Sequence, residues 1–128
     1  MALRGGDTFQ AADRKREGHL WIILSDPESH PDAPVLIANV TTRRADSDPA
    51  CTLARGDHPF IKHDSCVRYQ DSRLAEAQTL TGALAAKLLL AREPVSEEVL
   101  RRVRAGAALS RFIPLRNLQL LKDQGLVE

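Results

Sequence analysis

Two places in this chain hold residues that can move protons. His19 precedes an apolar run, and residues 57–66, DHPFIKHDSC, carry His58 and His63, two of the four histidines, beside Lys62, Asp57 and Asp64. Imidazole titrates near neutrality, so it can take or give a proton at physiological pH. Lys or Arg nearby can neutralise charge developing on a phosphate or oxyanion. The same stretch has a plainer reading. Gly56-Asp57 makes a turn, Phe60 and Ile61 plug a core, and Asp64 or Ser65 bonds to nearby backbone amides. Zinc suits it poorly, because His58 and His63 stand five apart in a Pro-containing loop and zinc wants a tighter ligand set. No metal and no other cofactor is expected. His30, in a Pro-rich stretch, reads as surface.

These side chains must be held by a small domain. A chain of 128 residues can bury a real core without staples, and with 43% apolar and 4% aromatic residues that core is mainly Leu, Val, Ile and Ala. The net charge of +1 excludes a strongly basic chain that coats nucleic acid, so an anion site has to come from local clustering. Cys51 and Cys66 make no disulfide framework and no zinc pair; Cys66 reads as a buried thiol in a strand. The start lacks the apolar segment of a signal peptide, and no run approaches a membrane span, so a soluble, cytoplasmic protein with no membrane partner is expected.

The first half is punctuated like a β protein. Residues 21–24 (WIIL), 35–41 (VLIANVT), 51–53 and 65–69 (SCVRY) read as strands, with loops at 25–34 and 43–50 and a weak extended segment at 72–78. The second half is helical. Residues 79–91, TLTGALAAKLLLA, are rich in Leu and Ala. Ser96 reads as an N-cap, with Glu97 and Glu98 in the first turn and Val99, Leu100, Val103 and Ala107 at helical spacing. Pro114 opens a last helix at its first position, running to about Asp123, and Gly125 suits its end. Strands followed by helices give an α+β domain built on a small barrel or sandwich.

Four stretches in order resemble the MazF/PemK family of toxin ribonucleases. RGGDTF is similar to that family's opening strand, HLWIILSDP to its second, and VLIANVTT to its third, which ends in Thr. HDSCVRYQDSRLAEAQTL resembles its D-S-V strand, the following strand and the start of a helix. SEEVLRRVRAGAALS falls where the family has its last helix. The resemblance implies a Src-homology-3-like small β-barrel (MazF/PemK/CcdB-like) with C-terminal helices over residues 1–110. Residues 111–128 form a helical extension packed on the barrel or on a partner. It also implies a toxin of a toxin–antitoxin system that cleaves single-stranded RNA without a metal, works as a homodimer and is held by a cognate antitoxin.

The resemblance places catalysis at His19, Thr41 and His63, with His19 where the family typically has Arg. An imidazole there can act as acid or base but is a poor substitute for a permanent bidentate phosphate clamp. Arg43, Arg44 and Lys62 become RNA contacts, and His58 a second-choice one. Trp21 reads as core, or as a base-stacking platform if exposed. Arg101, Arg102, Arg104, Arg111 and Arg116 read as a solvated face, a further RNA contact or a docking face for the antitoxin. The apolar tail, with Phe112, Ile113, Leu115, Leu118, Leu120 and Leu121, has to pack on something. The competing reading is a non-catalytic barrel-type module that binds a partner protein.

Overall fold

The computed structural model describes residues 2–12 and 18–128. Strand β1 (Thr8–Ala11) is followed by β2 (Leu20–Ile23), β3 (Val35–Thr42), β4 (Thr52–Leu53) and the long β5 (Ser65–Ala75). Helix α1 (Ala77–Ala85), strand β6 (Leu89–Arg92), helix α2 (Glu97–Leu109) and helix α3 (Leu115–Asp123) complete the order. The strands form one antiparallel six-stranded sheet in the order β4-β5-β3-β2-β1-β6, curled into a half-barrel, with β4 and β6 at its edges. This is a small α+β domain.

Alternation along β2 and β3 puts apolar side chains on both faces, because successive strand residues point to opposite sides. Leu20, Ile22, Leu36, Ala38 and Val40 join Val67 and Tyr69 under α2 and α3, which supply Val99, Val103, Ala107 and Leu121. Ile23, Val35 and Ile37 join Phe9 and pack against Leu80 of α1 on the other face. The C-terminal segment therefore shares the main core, through Ile113 and Leu121, while Leu115 stays 83% exposed. Among the described residues no helix is long and apolar enough to cross a membrane.

The caps follow the local code. The Ser96 hydroxyl accepts from the Val99 amide at 3.1 Å, with Glu97 and Glu98 in the first turn of α2. Gly125 takes φ 72° beyond α3, where Leu126 N donates to Leu121 O and Gly125 N to Lys122 O, satisfying the last carbonyls. Pro114 sits one position earlier than expected, as the N-cap rather than the first helical residue.

The helix expected over residues 79–91 is corrected. It starts at Ala77 and stops at Ala85, and residues 89–92 become the edge strand β6, paired with β1 from Ala11↔Leu89 to Thr8↔Arg92. Helix propensity differences are tenths of a kcal/mol per residue. The unpaired edge of β1 offers a ladder of backbone hydrogen bonds instead. The weak extended segment at 72–78 is partly the continuation of β5, which reaches Ala75. The register of β5 slips against β3 between Asn39↔Arg68 and Ile37↔Arg73.

Tyr69 follows Val67 on the inward face of β5 by strand alternation, and its hydroxyl donates to Val103 O at 2.6 Å. Burial drives the Tyr69 phenol far above its ordinary range and also raises the Cys51 thiol. Both cysteines are buried free thiols. At this point α2 crosses on Gly106. A Cβ there would lie 2.7 Å from Cys51 Cβ and 3.0 Å from Ala50 O, besides striking the Tyr69 hydroxyl. Ala gains about 1 kcal/mol over Gly in a helix, whereas overpacking costs about 1–3 kcal/mol, and backbone atoms cannot swing aside. Gly106→Ala is therefore expected to lower unfolding free energy by up to about 2 kcal/mol in urea titration.

Candidate functional site: a cationic groove at the end of the central strand

Where β3 runs out at Thr41 and Thr42, a groove of about 1040 Å³ opens between the β1–β2 end of the sheet, the segment before β5 and the start of β6. His19, Thr41, Thr42, Lys62 and His63 line it, together with Gln10, Phe60, Lys87 and Arg92. The structure thus brings His19, Thr41, His63 and Lys62 together from three distant parts of the chain. Among the described lining residues there is no carboxylate. A chain of net charge +1 therefore concentrates Lys62, Lys87, Arg92 and two imidazoles on one concave surface. Low-dielectric walls focus such a field.

Each side chain is placed by its element. Leu20 pairs with Val40, so His19 arrives beside Thr41, and its Nδ1 approaches Val40 O at 3.3 Å. A carbonyl only accepts, so that contact makes Nδ1 the donor and leaves Nε2 as the proton acceptor of the neutral ring. His63 Nε2 lies 2.8 Å from the Thr42 hydroxyl. A hydroxyl both gives and takes, so the pair suits His63 in either protonation state. The Ser65 hydroxyl donates to His63 O at 2.9 Å and fixes the backbone at the β5 start.

Lys87 lines the groove from the C-terminal end of α1. Leu88 N donates to Ala83 O and Lys87 N to Leu84 O, the same termination as at Gly125. Here, though, the left-handed position, φ 60°, is held by a lysine. An L side chain in that region costs about 1–2 kcal/mol. Arg92 is held by Nε donating to Gln10 Oε1 at 2.9 Å, with its guanidinium 4.6 Å from the Phe60 ring centroid. Neither cation stands out in the sequence, where residues 79–91 have the composition of a helix and Arg92 lies just past it. Only β6 pairing with β1 turns Arg92 toward Gln10.

The other expected residues lie elsewhere. His58 is 3% exposed and does not line the groove. Its Nδ1 accepts from Phe60 N at 3.1 Å and its Nε2 donates to Glu93 O, so both ring nitrogens serve the fold. Arg43 and Arg44 are exposed just past β3, beside the groove but outside its lining. Trp21 packs with the second core, with the Arg73 guanidinium 5.4 Å from its ring centroid. Arg102 pairs with Asp57 at 2.8 Å, and Arg104 donates to Leu24 O and Ser25 O, so part of the C-terminal arginine series is structural. Among the described residues no three His, Cys, Asp or Glu side chains gather as a metal-ligand set.

Compared with protein-family models and with curated proteins, the chain matches none.

Two substitutions separate fold from site. His58→Ala should cost about 2 kcal/mol or more in urea unfolding, because it empties a buried position and leaves the Phe60 amide and Glu93 carbonyl without their partner. The exposed His63→Ala should shift stability by no more than about 0.5 kcal/mol. Lys87→Gly should raise stability by up to about 1 kcal/mol, the left-handed strain relieved less the entropy of Gly in the unfolded chain.

Proposed function

We propose that this protein is a metal-independent endoribonuclease that cleaves single-stranded RNA, as the resemblance to the MazF/PemK toxins implies. The observation that carries the reading is the groove itself: two imidazoles and three permanent cations on one surface without a carboxylate among the described lining residues. That is a site for a phosphodiester with proton carriers on hand.

The RNA's own 2′-OH attacks the adjacent phosphorus. One imidazole takes the 2′-OH proton as the 2′-O–P bond forms. The other gives a proton to the 5′-oxygen as the P–O5′ bond breaks, leaving a 2′,3′-cyclic phosphate and a 5′-OH. His19, with Nε2 as acceptor, and His63, paired to Thr42, are the two carriers. Lys62, Lys87 and Arg92 neutralise the charge that builds on the phosphorane, and the Thr41 hydroxyl orients it. Arg43 and Arg44 extend the cationic path along the strand. On the family pattern the protein is also a Src-homology-3-like small barrel, a homodimer and a cytoplasmic toxin held by a cognate antitoxin.

A binding-module reading has one observation in its favour. Leu109, Phe112 and Leu115 stay exposed where α2 passes to α3, flanked by exposed Arg111 and Arg116. A protein partner fits such a surface, and an inhibitory partner there is compatible with the nuclease reading.

Incubating mixed-sequence RNA with purified protein in EDTA tests the proposal. Cuts ending in cyclic phosphate are expected, with a bell-shaped pH dependence from one acid and one base. His19→Ala and His63→Ala should each slow cleavage about 10²–10⁴-fold while leaving the fold intact. A folded wild type that leaves RNA whole, or variants that cut as well as it does, would overturn the reading.

A further inference from the structure

Phe60 is 45% exposed at the groove, in a chain with few aromatic residues. A bulky apolar ring among cations is an odd thing to leave in water, and it is firmly held there. Its backbone amide donates to Nδ1 of the buried His58. The Arg92 guanidinium stacks 4.6 Å from its centroid, itself tied to Gln10. The His58 ring lies 5.9 Å away, tilted by 34°. The ring is thus fixed from its backbone and covered by a cation, with much of its surface still open to the groove.

We propose that Phe60 is a stacking platform for one base of the RNA strand; this rests on the nuclease reading and specifies how that site holds its substrate. The ligand must be flat and apolar where it meets the ring, and anionic toward Arg92, 4.6 Å from the ring centroid, and the other groove cations Lys62 and Lys87. A nucleotide in a single strand has both features. An apolar protein surface would meet the ring but bury the surrounding cations without partners. Stacking accepts every base, because each has a π-face, so the platform gives affinity and registers the phosphate against His19 and His63 with little sequence preference. Arg92 serves twice, bracing the ring and facing the phosphate.

The test is fluorescence anisotropy with short 2′-O-methyl RNA, which lacks the attacking hydroxyl and stays uncut, beside the same strand made abasic. Phe60→Leu should weaken binding of the base-bearing strand by about tenfold, within the range of one aromatic–base stack. It should leave the abasic strand and the salt dependence of binding unchanged, because no phosphate contact is lost. Phe60→Trp should keep wild-type affinity, and the new indole should be quenched as the strand binds. Circular dichroism checks that both variants fold. If the wild type binds RNA and Phe60→Leu binds it equally, or loses affinity equally for the abasic strand, the platform is wrong while the RNA reading stands. If the wild type binds neither strand, both fall.

Discussion

Strand β3 is the constraint around which this molecule is built. It lies at the middle of the sheet, and both of its faces are apolar from Val35 to Ala38. Leaving either face open would expose several large side chains, each contributing about 1.5–3 kcal/mol when buried. The chain must therefore cover it twice, with α1 on one side and α2 with α3 on the other. Once both sides are covered, the strand can end only at an edge of the layered structure. Its last residues, Thr41 and Thr42, emerge there into the groove. The position of the site follows from the burial of the strand that leads to it.

The groove's charge follows from the same layout. Its cations come from parts of the chain that share no local pattern: Lys62 before β5, Lys87 after α1, Arg92 at the end of β6. Each is brought in by an element whose own reason for being there is packing or pairing. The backbone at Lys87, at φ 60°, is another place where local preference and position conflict, and its side chain lines the groove. His58 shows the reverse case. It has the chemistry of a proton carrier, yet it sits where the segment before β5 must be fastened to the β6 end, so its nitrogens close backbone hydrogen bonds instead.

The close crossing at Gly106 sets how rigid this arrangement is. With α2 resting on Cys51 and Tyr69, and the Tyr69 hydroxyl bonded to Val103 O, the bulged part of β5 is locked to the helix layer. The other end of β5 begins at Ser65, which fixes the His63 carbonyl. That support stands behind a groove in which His19, Lys62, His63 and Lys87 are exposed.

The sequence by itself determined the strands at β2, β3 and β5, the cap at Ser96 and the turn at Gly125; His19, Thr41, Lys62 and His63 became one candidate set only through the family resemblance. The former are written in short windows: alternation over a few residues, a hydroxyl before a helix and a glycine after one. Only the tertiary structure decided that residues 89–92 are a strand, that Lys87 and Arg92 join the groove, that His58 is buried and that Phe60 is held open beside Arg92. Each of these depends on a partner far away in sequence: Ala11 for Leu89, Gln10 for Arg92, Glu93 for His58. Local propensities differ by tenths of a kcal/mol per residue, while pairing an exposed strand edge or satisfying a buried imidazole is worth more. The long-range contact therefore wins wherever the two disagree.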